Sequence, residues 1–314
     1  MKMKFFETIF NKLKATFRDD AAHYRFSVAL RMVGNLLLTI MLCAFLIHLF
    51  VTINILFFEA NGFPRLDVMR EAFFDYVYGQ VSNYLIYIAG FILFYFFLGI
   101  YIAELSMRPF RLVAASCQHK MDGKETTYDP GFYSDLQLLT HFCEYFFNFT
   151  RTVESNKKLL LMAIPDRYKS IHRPMFERSF YIHYSAFILI SSLITATALF
   201  YISAEIYESV ITLAISYLKQ RNMSEIFFTG QSDLYSAAII SVLALHLFLS
   251  FLLTFRIHTL VATPAFGVFS TLRSFVKGQY HSRVHLIGSY FLRPECRVIN
   301  QYLDYLEENY SDKR

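Results

Sequence analysis

Long apolar stretches alternate with polar, basic segments along this chain. Four of the stretches contain no lysine, arginine or aspartate. Each is long enough to cross a hydrocarbon core of about 30 Å, which takes about 20 helical residues. The stretches are Val33–Phe58, Asn83–Leu105, Ser179–Ala204 and Leu234–Phe255. This pattern predicts four transmembrane helices arranged as two hairpins.

The polar segments that follow the two hairpins have the same internal order. The first, Arg108–Gly123, reads RPFRLVAASCQHKMDG, and the second, Thr263–Gly278, reads TPAFGVFSTLRSFVKG. In each, a glycine follows an early proline by fourteen residues, with an amphipathic stretch between them. Further on, DLQLLTHFCEYF aligns without a gap with ECRVINQYLDYL, which pairs Asp135 with Glu295. A fixed order at long spacing indicates an internal duplication with both copies in one orientation.

The duplication predicts an all-α membrane protein in which each of two parallel-repeat transmembrane hairpins precedes a cytoplasmic unit of two helices. A basic amphipathic helix comes first, and its apolar stripe fits either the membrane interface or packing on the rest of the protein. The predicted segments are 1–30 for this N-terminal helix, 31–107 for the first hairpin, 108–150 for the first two-helix unit, 151–178 for a cytoplasmic linker, 179–262 for the second hairpin, 263–308 for the second two-helix unit and 309–314 for a tail.

The basic residues are distributed unevenly. Of the 30 lysines and arginines, 26 lie before the first hairpin, between the hairpins or after the second. The positive-inside rule places those segments and both termini in the cytoplasm. The net charge of +5 therefore reflects topology, and it requires no nucleic-acid partner. The same charge suits membrane lipid with anionic headgroups as a partner.

Cysteine and histidine are the first places to look for a chemical site. The cysteines lie in a span or in the predicted cytoplasmic copies, and their spacing matches no zinc motif. We therefore predict small buried side chains without a disulfide framework. Histidines within the spans are candidate sites by default. These residues are Cys43, Cys117, Cys143, Cys296, His48, His183 and His246.

The scattered histidines favour hydrogen-bonded positions in the helix core over a haem or metal site. The four spans contain no aspartate that would complete a metal site with them. The chain also contains no glycine-rich phosphate loop, nucleophile elbow or kinase signature. We predict a protein that is not an enzyme, with no catalytic residue, no bound cofactor and no metal.

A span followed by a proline, an amphipathic helix, a glycine, a connector, an acidic position and a second amphipathic helix resembles the HAMP domain. That module lies just inside the membrane in bacterial sensor kinases and chemotaxis receptors, and it dimerises into a parallel four-helix bundle. The second copy is the closer match, because its connector, GQYHSRVHLIGSYFLRPE, offers Val284 and Leu286 as apolar anchors before Glu295. The first connector is five residues shorter, and Asp135 stands alone at the acidic position. Two amphipathic juxtamembrane helices of an unrelated duplicated protein are the alternative.

Six residues carry the resemblance. Proline in a first helical turn costs little, since its missing N–H has no partner there. Glycine takes positive φ and ends a helix without a steric clash. A carboxylate at the start of the second helix meets the positive end of the helix dipole. The predicted structural or relay residues are Pro109, Gly123, Asp135, Pro264, Gly278 and Glu295.

Apolar residues at about every fourth position mark a predicted bundle core. They are Val113, Cys117, Met121, Leu139, Phe142 and Phe146 in the first copy, and Val268, Leu272, Val276, Ile299, Tyr302 and Leu306 in the second. One chain thus supplies two parallel helix pairs, which is the content of one HAMP dimer. We favour one intramolecular four-helix bundle, and an ordinary homodimer is the alternative.

The HAMP resemblance implies a bacterial inner-membrane protein that relays conformational state between its transmembrane helices and the cytoplasmic bundle. The last residues, LEENYSDKR, leave no room for an output domain, so we expect the relay to act through an unidentified membrane or cytoplasmic protein partner. A structural anchor or scaffold subunit of a larger membrane complex is the alternative. A small transporter or redox protein is a third reading, but broken helices and midplane charges would be expected for it.

Overall fold

The computed structural model describes residues 19–63, 66–124, 128, 136–159, 161–219 and 226–311. These residues form helices and connections, with no strand among them. The predicted N-terminal apolar stripe and the predicted site residue Asp135 lie outside the described residues. The helices are α1 (Asp20–Ala60), α2 (Leu66–Met121), α3 (Gln137–Asn156), α4 (Asp166–Lys169), α5 (Arg178–Lys219), α6 (Ile226–Val276) and α7 (Arg293–Tyr310), with a 3₁₀ turn at Tyr290–Leu292.

Four helices in the described part of the chain are long and apolar enough to span a membrane, which confirms the predicted number. They are α1, α2, α5 and α6, and each contains one of the four apolar stretches. All four helices extend beyond those stretches. In α2, for example, Met69, Phe73 and Val77 lie before the predicted span and are buried. Their helical spacing gives the extension an apolar face to pack, which explains why the helix begins early.

The two repeated prolines do not begin separate helices, so that prediction is wrong. Pro109 lies inside α2 and Pro264 lies inside α6. A proline in a helix removes one backbone hydrogen bond and bends or breaks many helices. Here the apolar stripe continues on both sides of each proline, and its burial favours an uninterrupted helix. The stripe includes the buried residues Met107, Phe110, Val113, Val261, Ala265 and Val268.

The described residues divide into two compact units. The hairpin unit contains residues 29–98 and 187–252, which hold most of the predicted transmembrane stretches. The repeat unit contains residues 19–28, 99–186 and 253–311, which hold both repeated segments and the linker. Each of the four long helices contributes residues to both units.

In the hairpin unit, α1 and α6 run antiparallel with a constant register. The contacting pairs are Asn35–Ser250, Thr39–His246, Phe50–Tyr235 and Phe57–Phe228. Each step forward along α1 therefore equals the step backward along α6. Two of these pairs are hydrogen bonds of 2.8 Å between side chains of the two helices. Such bonds between helices favour one register over others.

Candidate relay site

Aromatic side chains form the centre of the repeat unit. The rings of Phe142 on α3 and Phe269 on α6 lie 4.8 Å apart, and those of Phe146 on α3 and Tyr302 on α7 lie 6.4 Å apart. These contacts join a helix of the first copy to both helices of the second. All the predicted core positions are buried except Met121, which is partly exposed. Truncating a buried phenylalanine to alanine typically costs about 3–5 kcal/mol, so this core is a major source of stability.

The two repeated glycines lie where the helices were predicted to end. α2 ends at Met121, and Gly123 has a φ of +70°. α6 ends at Val276, and Gly278 has a φ of +95°. A residue with a Cβ pays a steric cost in this conformation, which explains glycine at both positions.

A chain of charged side chains joins α1, α2 and α7 close to Pro109. Arg25 of α1 lies 2.9 Å from Glu104 of α2, and Glu104 also contacts Arg111, about two turns farther along α2 on the other side of the proline. Arg111 Nε lies 3.5 Å from Glu295 Oε1 at the start of α7. The Glu295 side chain is only 11% exposed, so removing Arg111 would leave a nearly buried carboxylate without this ion pair. Glu295 thus contacts α2 two residues beyond Pro109, through Arg111, which the sequence did not single out.

Further contacts hold the start of α7 against the start of α1. The Tyr24 and Phe291 rings stack with centroids 3.9 Å apart. The Tyr290 hydroxyl lies 3.2 Å from His23 Nδ1, and the Arg293 guanidinium lies 3.3 Å from an Asp20 carboxylate oxygen. The second helix of the second copy is therefore attached to the helix that enters the first hairpin.

The start of α3 is attached to the second hairpin in a comparable way. The N-cap residue of α3, Leu136, provides no side-chain hydrogen bond to the first turn of the helix. Instead, the Glu177 carboxylate accepts a hydrogen bond from the Leu138 amide at 3.1 Å, and Glu177 directly precedes α5. The Glu177 amide in turn donates to His258 Nε2 on α6 at 3.2 Å. The second helix of the first copy thus meets both helices of the second hairpin through one residue.

The two attachments cross over between the copies. α7 belongs to the second copy and contacts Arg111 of the first copy, whereas α3 belongs to the first copy and contacts Glu177, which directly precedes the second hairpin. An exchange of this kind is the arrangement that two identical subunits would produce across a twofold axis. Here it occurs within one chain.

The pKa of Glu177 is raised, chiefly because burial disfavours its charged form, although the hydrogen bonds from Leu138 and Gln137 partly oppose the shift. A folded-state pKa above the unfolded value stabilises the fold below the ordinary pKa of glutamate. This contribution is lost as the pH rises through the folded-state pKa.

We expect Glu177→Gln to be as stable as the wild type or more so at neutral pH, because glutamine keeps the acceptor oxygen and removes the buried charge. Glu177→Leu should lose about 1 kcal/mol, the usual effect of a missing helix cap. Thermal unfolding of the detergent-purified protein across a pH series measures both changes. The exposed Glu308→Gln is the matched control and should behave as wild type. A glutamine variant as unstable as the leucine variant would show that the charge itself is required.

The linker returns along the repeat unit and is held by hydrogen bonds along its length. The Leu159 amide donates to the Tyr310 carbonyl at 2.8 Å, near the ends of α3 and α7. Farther on, Arg273 of α6 donates to the carbonyls of Tyr168 at 2.8 Å and Ile171 at 2.6 Å. Sequence reasoning missed Arg273, because a single arginine in a helix carries no local signal of its long-range partners.

The second connector is bound to α7 and α6 through Val284, Leu286 and Arg283. Val284 is buried, and its amide and carbonyl both bond to the Asn300 side chain, at 2.7 and 3.1 Å. Leu286 packs so closely on Gly267 that a Cβ there would lie 2.6 Å from the leucine Cδ2. Arg283 adds ion pairs of 2.6 Å to Asp304 and Glu307. The first connector lies largely outside the described residues.

All four cysteines are free and buried, as predicted. Burial raises the pKa of Cys143 far above its ordinary range and that of Cys296 to about 11. Both thiols therefore stay protonated near neutral pH, which makes them poor nucleophiles. In the described residues no group of three histidine, cysteine or acidic side chains is placed to hold a metal.

The intramembrane histidines differ from one another. His246 is buried and hydrogen bonded to Thr39, as predicted for a core histidine. His48 is exposed instead, so the core prediction is wrong for that residue. Its ring stacks on Phe74 at 5.3 Å between centroids. The apolar stripe of α1 that packs on α6 excludes position 48, which explains the exposure.

No family model matches the chain, and comparisons with curated proteins and with solved structures find no match.

Proposed function

We propose that the two copies form one intramolecular, HAMP-like four-helix bundle made of the ends of α2 and α6 together with α3 and α7. Two contacts support this arrangement, that of α7 with Arg111 of the first copy and that of α3 with Glu177 just before the second hairpin. The shared aromatic core of Phe142, Phe146, Phe269 and Tyr302 supports it as well. In the alternative homodimer, the corresponding contacts would form between two chains, whereas here they form within one chain.

On this basis the protein is a non-enzymatic membrane protein that relays conformational state between its transmembrane helices and the bundle, and from there to a protein partner. The observation that carries this proposal is the continuity of α2 and α6. Each is one helix from its membrane-spanning stretch, through a proline, to the glycine that ends the repeat. Each proline leaves its helix without one internal hydrogen bond, and a helix weakened in this way can adopt two bends of similar energy.

The charge distribution supports an inner-membrane location in a bacterium, with both copies and both termini in the cytoplasm. The partner would then bind the cytoplasmic surface of the bundle or the membrane helices. A static anchor or scaffold subunit uses the same fold without the two states, so an experiment must detect coupling along a helix.

Pro264→Ala tests the relay, because alanine restores the missing backbone hydrogen bond in α6 and should favour the straighter state. We expect slower hydrogen exchange near residue 260 and, in a relay, altered exchange in residues 230–252 as well. Mass spectrometry of exchanged, detergent-purified protein measures both regions.

The neighbouring, exposed Thr263→Ala is the matched control and should change neither region. A change confined to the few residues around Pro264 would contradict the relay and favour the static anchor.

A further inference from the structure

The hairpin unit contains a cavity of about 320 Å³ between α1, α2 and α5. Its walls come from residues 40–51 of α1, 74–88 of α2 and 199–206 of α5. Binding sites for small molecules usually measure roughly 300–1,000 Å³ and are mostly apolar with a few polar groups. This cavity has those properties, and all of its walls belong to spanning helices.

The lining is apolar except for five side chains that can form hydrogen bonds. They are Cys43, His48, Tyr78, Tyr84 and Ser203. No lysine, arginine, aspartate or glutamate lines the cavity. A phosphate or carboxylate headgroup would lack a cation here and would lose its hydration without compensation. The carboxylate of Glu205 lies outside the lining and is already bonded to the wall residue Tyr84, so an ammonium group would have to compete for it.

Some of the polar groups are already used within the protein. The side chains of Cys43 and Ser203 are hydrogen bonded to each other, and Tyr84 is bonded to Glu205. His48 and Tyr78 are different, because no hydrogen-bond partner for the imidazole or the phenol is found among the described residues. A ligand made only of hydrocarbon would form no hydrogen bond with these two side chains. A ligand with a carbonyl or hydroxyl group would form hydrogen bonds with them.

We propose that this cavity binds a neutral, lipid-soluble molecule, with an apolar chain along the aliphatic walls and a hydroxyl or carbonyl head beside His48 and Tyr78. Ala44 and His48 are exposed, so the ligand enters from the side of the helices that faces hydrocarbon. The site does not depend on the relay.

The position of the cavity also assigns the ligand a role, which rests on the proposed function. Its wall residue Ser203 accepts a hydrogen bond from the Tyr235 hydroxyl of α6 through its carbonyl, at 3.1 Å. Tyr235 stacks on Tyr207 at 3.9 Å between ring centroids. A molecule that pushes on Ser203 therefore changes how α5 meets α6, and α6 is the helix that contains Pro264 and ends at Val276, two residues before Gly278. The ligand would act as the stimulus of the relay.

Photolabelling tests the site. The purified protein in phosphatidylcholine nanodiscs is exposed to three probes with the same diazirine-bearing chain, namely hexadecanol, hexadecanoic acid and hexadecylamine derivatives. We expect the alcohol to label peptides 40–51, 74–88 and 199–206 saturably, with a preference of about fivefold or more, which corresponds to about 1 kcal/mol. Equal labelling by the three probes, or labelling that does not saturate, would show an ordinary lipid-exposed crevice and overturn the proposal.

Two kinds of variant sharpen the result. Ala44→Phe fills the cavity and should abolish the preferred labelling, whereas Ala89→Phe, on an exposed face of α2 outside the cavity, should label as wild type. Tyr78→Phe and His48→Phe each keep an aromatic ring without the polar group, and they should remove the preference for the alcohol while some hydrocarbon labelling remains. Unchanged preference in both of these conservative variants would contradict the assigned headgroup position even if Ala44→Phe failed to accumulate.

Hydrogen exchange separates the site from the relay. Saturating hexadecanol should alter exchange in residues 253–276 of the wild type but not of Ala44→Phe. Saturable labelling without that change would keep the site and contradict its role as the stimulus. Loss of labelling would contradict the site alone, because Pro264→Ala tests the relay without any ligand.

Discussion

Gly278→Val is expected to lower the free energy of unfolding by about 1–3 kcal/mol and, if the bundle is the proposed relay, to shift the populations of its two proposed states. The backbone at Gly278 has a φ of +95°, which a β-branched residue adopts only under strain. A shift of 1.4 kcal/mol changes a population ratio by about tenfold. The variant should therefore accumulate in the membrane, unfold at a lower temperature and show altered hydrogen exchange in residues 230–252.

The side chain nearest to Gly278 allows a control for simple steric conflict. A Cβ at Gly278 would lie 2.5 Å from Leu161 Cδ2, but Leu161 is 77% exposed and can move. Combining Gly278→Val with Leu161→Ala should therefore restore little of the lost stability, since backbone strain remains. Gly123→Val has similar strain and no such neighbour, so it should lose a comparable amount. Full rescue by Leu161→Ala would show that the effect is local packing. Normal exchange in residues 230–252 would favour a static scaffold.

Local signals in the sequence predicted the four long apolar helices and the two helix ends that are marked by glycine. The absence of charge over long apolar stretches predicts the four spanning helices, because an unpaired charge is costly in hydrocarbon. Gly123 and Gly278 were recognised because positive φ has a steric cause within one residue. The repeated apolar positions predicted burial correctly for the same reason, since helical periodicity places them on one face.

The prolines show where local reasoning fails. A proline is compatible with the first turn of a new helix, and that local preference predicted a helix start at Pro109 and Pro264. The buried stripes on both sides of each proline override it, and this packing depends on the other helices of the unit. The information that decides between the two outcomes is therefore tertiary.

The site residues that sequence reasoning missed act through distant partners. In the sequence nothing distinguishes these residues from ordinary charged residues on a protein surface. They are Arg111, Glu177 and Arg273. Each becomes important through a residue 39 or more positions away, such as Leu138 for Glu177 and Tyr168 for Arg273, 105 positions away. Only the tertiary fold, which packs the linker and the two copies together, brings these groups into contact.

Arg111→Glu and Glu295→Arg are each expected to destabilise the protein on the order of 2–3 kcal/mol, between the values for exposed and buried ion pairs. The first substitution places like charges beside Glu295 and Glu104, and the second faces Arg111 with another arginine. Combining both in one chain should recover most of the loss, because the pair is restored with reversed sign. Arg25 still neutralises Glu104, from which it lies 2.9 Å. Thermal unfolding in detergent measures the three variants.

The same charge swap distinguishes one intramolecular bundle from a homodimer. Arg111 and Glu295 contact each other within one chain, so two separate chains that each carry one substitution should not rescue each other. Co-expression of the single variants with different tags, followed by tandem purification and unfolding, makes this comparison. A stable mixed complex would mean that the ion pair forms between chains, and the intramolecular bundle would be wrong. If the reversed charges prevent accumulation, Arg111→Met and Glu295→Gln give the same test. Arg111→Met by itself leaves the buried Glu295 carboxylate without its partner, so adding Glu295→Gln should recover part of the lost stability. This recovery should occur only when both substitutions are in the same chain.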